Sequence, residues 1–224
     1  MNTFRTPLLS RRAALGLVLA GTSALTVRNV PGFEFVANAE SATNLSAAQK
    51  IADHFSKVRT MTGEFVQFGP RGEQTGGKFY IQRPGRIRFN YEAPSSFRVI
   101  SDGTSVAIDN RKLNTMDVYP LSKTPLKMLL DDHIDLSGKQ VKSVRQDDDL
   151  TTIQLGDKQI FGNSKITMMF DPSSYELRQW TITDAQGKDT TVMIFNTKQD
   201  VALDASLFKI DYRRNLELNT KKIR

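Results

Sequence analysis

Apolar and polar positions alternate most strictly between Gly76 and Gly103. Successive strand side chains point to opposite faces, so in Phe79-Tyr80-Ile81-Gln82-Arg83 one face carries Phe79, Ile81 and Arg83 and the other Tyr80 and Gln82. Pro84-Gly85 breaks the strand and favours a turn. Alternation then resumes with Ile87, Phe89 and Tyr91 set against Arg86, Arg88, Asn90 and Glu92, the signature of a half-buried antiparallel strand. A third run, Phe97-Arg98-Val99-Ile100-Ser101, meets the hairpin signal Asp102-Gly103. The odd member of the apolar face is Arg83: an unpaired guanidinium is costly to bury, so this position demands acceptors or a route for its head group to water.

Helical spacing governs the preceding segment. Ser46 and Gln49 form a capping box, and Ala48, Ile51, Ala52, Phe55 and Val58 make one apolar stripe opposite Lys50, Asp53 and Lys57. Gly63 to Phe68 reads as a strand closed by Gly69-Pro70-Arg71-Gly72. Beyond Gly103, Ser105 to Asp109 predicts a strand with Val106 and Ile108 on one face, and Thr115 to Pro120 predicts a strand or a loop. Thr124-Pro125 then opens a short apolar helix, Leu126 to Leu130, with threonine as N-cap and proline at the first helical position. Strands are expected at Val141–Arg145, Thr151–Leu155, Lys165–Phe170, Arg178–Thr183 and Thr190–Asn196, separated by turn-rich segments. Trp180 and Ile182 share a face suited to a core or to a cavity wall. The tail from Arg213 to Arg224 is polar and basic and predicts a frayed terminus, with a contact to acidic lipid or a partner as the alternative. The pattern is a mainly β, α+β meander, with too few long helices for a doubly wound sheet.

Composition narrows the function. The chain has 224 residues, enough for one sizeable core, and no cysteine, which removes disulfides, thiolate metal sites and a cysteine nucleophile. The net charge of +7 suggests nucleic acid until its location is considered. Four arginines against one glutamate in residues 1–39 leave only +4 for the remainder, so no nucleic-acid partner is expected. Those first residues explain themselves: Ser10-Arg11-Arg12, an apolar run from Ala13 to Val27, and Ala37-Asn38-Ala39 compose an export signal. The twin arginine with Leu15 resembles the twin-arginine translocation signal, and the ordinary secretory route is the alternative. The expected organisation is a cleaved leader at 1–39 and a single domain at 40–224.

Catalytic candidates are poor. Gly72 to Lys78 has the glycine and lysine spacing of a phosphate loop, but Phe79 stands where serine or threonine should hold magnesium, and a strand follows instead of a helix. A glycine-rich hairpin turn is expected there. The two histidines, His54 and His133, do not assemble with a serine into a nucleophile and base. His133 within Asp131 to Asp135 could ligate a metal, although a solvated loop is the expectation, and Asp147-Asp148-Asp149 looks like an exposed turn. No enzyme activity and no cofactor are expected.

Taken together, Gly77-Lys78-Phe79-Tyr80-Ile81-Gln82-Arg83-Pro84-Gly85-Arg86-Ile87-Arg88-Phe89-Asn90-Tyr91, Pro94 and Val99-Ile100-Ser101-Asp102-Gly103 resemble the core of the periplasmic outer-membrane lipoprotein carriers, the LolA family. Phe65-Val66-Gln67 matches that family's Phe-x-Gln strand, and Pro120 to Leu130 its lid region; Tyr80 and Tyr91 stand where some members have tryptophan. The resemblance implies an incomplete antiparallel β-barrel, or half-barrel, whose apolar concave face is covered by a small α-helical lid. It implies a periplasmic monomer that accepts acylated lipoproteins from an inner-membrane ABC-type release complex and delivers them to the outer membrane, with an outer-membrane receptor as a further candidate partner. A related half-barrel that holds another envelope lipid, or senses mislocalised lipoproteins, is the alternative. The expected cavity residues are Phe65, Phe79, Ile81, Ile87, Phe89, Tyr91, Val99, Leu126, Leu129 and Leu130. By the same resemblance Arg83 bonds backbone carbonyls and latches the helices around 45–58 and 124–130.

Overall fold

A computed structural model describes the backbone of residues 33–222 and the side chains of residues 45–220. The twin-arginine pattern and the apolar run of the expected leader therefore lie outside the described residues. Eleven strands form one sheet: β1 (Thr60–Phe68), β2 (Gln74–Gln82), β3 (Arg86–Tyr91), β4 (Phe97–Asp102), β5 (Ser105–Asn110), β6 (Thr115–Pro120), β7 (Val141–Gln146), β8 (Thr151–Leu155), β9 (Lys165–Phe170), β10 (Leu177–Thr183) and β11 (Asp189–Gln199). Every neighbouring pair is antiparallel, in the order β6-β5-β4-β3-β2-β1-β11-β10-β9-β8-β7. The first and last strands thus pair across the middle, and β6 and β7 are left as the two edges.

The sheet is strongly rolled. Phe89 on β3 and Trp180 on β10 are four inter-strand steps apart, about 19 Å along a flat sheet at about 4.8 Å per step. Their ring centroids nevertheless lie 6.0 Å apart. Register supplies the apolar inner face: Phe79 opposes Phe89, Phe89 opposes Val99 and Val99 opposes Ile108. On the other half Val192 opposes Trp180, Trp180 opposes Met168 and Met168 opposes Ile153. The predicted alternation is visible as burial, with Phe79, Ile81, Arg83, Ile87 and Phe89 buried and Tyr80, Gln82, Arg86 and Arg88 more open.

Two helices close over this hollow. Helix α1 (Phe33–Lys57) buries Ile51 and Phe55, and α2 (Leu126–Leu130) buries Leu126, Leu129 and Leu130, all in the same apolar cluster as the inner face. The result is an open half-barrel with its concave side roofed by helices. A strand is present at each segment where one was expected, and Thr115–Pro120 resolves as strand β6.

The capping box at Ser46 does not start α1, because Phe33 to Lys57 contains no proline or glycine to interrupt the helix. Gln49 is instead a tether: its amide nitrogen donates to the Ile134 carbonyl at 3.0 Å and its oxygen accepts from the Leu136 amide at 2.9 Å. Thr124 is not the N-cap of α2; its hydroxyl donates back to the Leu121 carbonyl at 2.9 Å in a 3-10 turn, and Pro125 occupies the cap position. A one-turn helix, α3 (Lys158–Phe161), capped by Asp157, was not predicted and lies beside that 3-10 turn.

The C-terminal tail is not a frayed end through Lys222 but helix α4 (Tyr212–Lys222), docked outside the sheet. Asp211 caps it by accepting from the Arg214 amide at 3.0 Å. The Arg214 guanidinium reaches the buried Asp109 carboxylate at 3.2 Å, where Arg98 and Arg111 also converge. Asn215 donates to the Met116 carbonyl of edge strand β6 at 2.9 Å, and Tyr212 to Asp102 at 2.8 Å. Upstream, Phe208 is buried where the 3-10 turn Ala205–Phe208 packs on β3 and β4. Removing the anion while keeping its shape should release this assembly: Asp109→Asn is expected to cost about 2–4 kcal/mol, below the roughly 3–5 kcal/mol of a fully buried pair because Arg98 and Arg111 keep part of their contact with water. Calorimetry and limited proteolysis should show a lower Tm and early cleavage within α4; an unchanged Tm and an intact α4 would contradict this role for Asp109.

Candidate functional site

A cavity of about 520 Å³ lies between the lid and the inner sheet face, within the size range of about 300–1,000 Å³ common for ligand sites. One wall is Phe89, Tyr91, Val99 and Phe97; the facing wall is Trp180, Ile182 and Val192. Thr124, Pro125 and Leu126 form the roof, while Gln67, Glu73, Thr75 and Thr190 give it a polar end near the β1–β2 turn. Ring packing holds the wall rigid: Phe65 meets Phe89 edge-on at 4.7 Å and Tyr91 edge-on at 5.0 Å.

Of the residues singled out in the sequence, Phe89, Tyr91, Val99 and Leu126 line the cavity. Phe65, Phe79, Ile81, Ile87, Leu129 and Leu130 do not: they are at most 1% exposed and belong to the closed core below it. The Phe89 and Tyr91 rings cover Phe65, and Ile51 and Phe55 of α1 occupy that half of the concave face, with Phe55 packed edge-on to Phe170 at 5.3 Å. Val106, Ile108, Trp180, Ile182 and Val192 are lining residues whose parity was legible; Gln67, Glu73, Thr75 and Thr190 carried no such signal. The glycine-rich stretch is a hairpin turn at 69–73, with Gly72 donating to Gly69, and its later glycines lie within β2.

Arg83 directly follows β2, between the sheet and the two roof helices. It is 4% exposed, and its guanidinium donates to the Val58 carbonyl just beyond α1 at 2.7 Å and to the Leu129 carbonyl in α2 at 3.3 Å. Its charge also lies 4.0 Å above the Phe55 ring. Burial, with the nearby Arg59 cation adding to it, lowers its pKa to about 10, so it is charged throughout the neutral range. The following turn makes a second tie, because the Gly85 amide donates to the Leu130 carbonyl at 2.9 Å. Gly85 has φ +77°, and a Cβ there would come within 2.8 Å of the Gly103 Cα. A larger residue would push the turn away from the lid.

Inside the cavity, the Tyr91 hydroxyl donates to the Gln67 side-chain oxygen at 2.6 Å. Tyr91 reaches it across Gly77, its register partner, which has no side chain to obstruct the ring. Burial pushes the Tyr91 pKa up to about 12, opposed by the Gln67 hydrogen bond. Because the folded value lies above the unfolded one near 10, this term is fully present below about pH 10 and is lost as pH rises through about 12. Absorbance titration should therefore show a late phenolate step near pH 12 that disappears in Tyr91→Phe; its persistence in that variant would reassign it. Among the described residues no three His, Asp or Glu side chains converge as a metal site, and Asp171 and Asp157 serve as turn and helix caps.

The family model described as "Outer membrane lipoprotein carrier protein LolA" matches residues 56–211. A Pseudomonas paraeruginosa protein named outer-membrane lipoprotein carrier protein is 26% identical over 184 residues, covering 76% of this chain and 86% of the relative. One of the same name from Halorhodospira halophila is 27% identical over 174 residues, covering 73% and 80%. Among solved structures, a lipoprotein-sorting protein domain from Vibrio parahaemolyticus aligns at 11% identity with TM-score 0.46, over 78% of this chain and 99% of that one. That structural likeness is too distant to add to the fold described above.

Proposed function

The chain belongs to the outer-membrane lipoprotein carrier family, LolA, and from that premise we propose that it is an exported, non-enzymatic carrier of lipoprotein acyl chains. The observation that supports this most is the apolar cavity under a roof tied by Arg83. Each buried methylene is worth about 0.8 kcal/mol, so exposing one long acyl chain to water costs on the order of 10 kcal/mol. A protein that crosses an aqueous compartment with such chains attached needs a hollow that shields them and a roof that lets them leave. Trp180, Phe89 and Val99 supply the hollow, and α2 supplies the roof.

In this reading the leader directs export, cleavage follows Ala39, and the mature domain works in the periplasm as a monomer. It accepts lipoproteins from an inner-membrane ABC-type release complex and passes them to the outer membrane, directly or through a receptor. Arg83 is the latch: with its carbonyl partners on Val58 and Leu129, one side chain ties both roof helices to the sheet. The test is release. Membrane vesicles that carry a labelled lipoprotein and the release complex should lose the label into a soluble complex with this protein, on energising with ATP. Label that stays in the vesicles would overturn the proposal.

A further inference from the structure

Resting on that carrier reading, we propose that Gln67 reads the carbonyl group of a bound acyl chain, and so sets which way the lipid lies. Gln67 lines the cavity from β1, opposite Thr75 on β2 and Val192 on β11. Its side-chain oxygen is taken by the Tyr91 hydroxyl at 2.6 Å, which leaves the Nε2 amide as the free end. Among the described residues Nε2 makes no hydrogen bond, and Gln67 sits where the polar end of the cavity, with Glu73, Thr75 and Thr190, meets the apolar wall. Gln67 is half-buried and Nε2 keeps access to water in the empty hollow; an acyl chain that fills the wall displaces that water, and the donor is then costly to leave unpaired unless the ligand supplies an acceptor.

A saturated chain offers no acceptor along its length. The ester or amide carbonyl at its head does, and it is the first polar group a lipid would bring into this wall. Tyr91 acts as a positioning residue: its proton can only point at an acceptor, so it holds Gln67 in the orientation that presents the donor. A phenol keeps that proton at physiological pH, and burial raises its pKa further. Thr75, beside Gln67, lies six residues from Ile81 on β2, and Ile81 shares a register row with Val106 across β3 and β4. That is about 20 Å of inner face at about 3.4 Å per residue. The carbonyl end therefore sits by the β1–β2 turn, where Glu73 and Thr75 open to solvent and the protein part of the cargo leaves. The methyl end runs beneath Leu126 toward Val106.

The test compares two fluorescent dialkylglycerol probes that differ only in ester or ether linkage. Wild type should bind the ester about fivefold more tightly, the value of one ordinary hydrogen bond. Gln67→Leu should remove that preference while keeping or improving affinity for the ether. Gln67→Glu retains the shape but offers no donor, so it should also lose the preference, and it covers the case in which the leucine variant does not fold. Infrared spectra should show the ester carbonyl stretch lowered on binding to wild type and not on binding to either variant. Equal binding of both probes by wild type, or a preference that survives in both variants, would overturn the inference. If wild type bound neither probe, the carrier reading itself would fall, a different result from equal binding.

Discussion

In Arg83→Leu the backbone amides of α2 should exchange with deuterium at least about tenfold faster than in wild type, while β9 and β10 keep their rates. Hydrogen bonds to charged groups are worth about 1.5–3 kcal/mol each, and the substitution removes two, to Val58 and Leu129. Part of that loss is recovered, because a guanidinium at 4% exposure no longer has to be kept out of water. Leucine also suits the neighbouring Phe55 ring. The global stability should therefore change little, and the cost should fall on the roof, which is short and otherwise held by Gly85, Leu129 and Leu130. Lipid loading or release should change with it. Arg83→Lys is expected to be intermediate, since an ammonium cannot span both carbonyls as the planar fork does. An unfolded Arg83→Leu protein, or unchanged exchange in α2 together with unchanged transfer, would remove Arg83 from the account.

Ile108→Glu should abolish binding of long-chain acyl probes, with affinity reduced at least about a hundredfold and Tm altered by only a few degrees. Ile108 is 39% exposed and faces the cavity from β5, so the sheet does not depend on its burial. With a chain bound, it would become enclosed. Losing one buried isoleucine contact costs about 1.5–3 kcal/mol, and burying a carboxylate beside an alkyl chain adds several more. Ile108→Val, which keeps the wall apolar, should bind nearly as wild type. Tight probe binding by the glutamate variant would place the ligand elsewhere.

Much of this was legible because the chain obeys a period of two where one face is buried. Phe79, Ile81, Ile87 and Phe89 announce an inner face by side-chain alternation alone, and parity marks Arg83 as a cation in need of acceptors or of a route to water; that the acceptors are backbone carbonyls was implied only by the family resemblance. What alternation cannot distinguish is a core position from a cavity wall. Phe65 and Phe89 lie on the same face and their rings touch, yet only Phe89 lines the hollow, because the Phe89 and Tyr91 rings pack edge-on against Phe65. That division depends on which rings stack over which, a tertiary fact. Polar lining residues were hidden for a related reason: Gln67 acquires meaning only when Tyr91 reaches across Gly77 to it. The basic tail was misread because its order comes from Asp109, more than a hundred residues away, rather than from its own composition.

Whether the hollow carries acylated protein is decided by isolating the protein from the cell envelope without detergent and measuring its intact mass under native conditions. The expected result is a population carrying one acylated lipoprotein per chain, reduced in Ile108→Glu. A protein that is recovered empty, or that holds only free lipid, would contradict it.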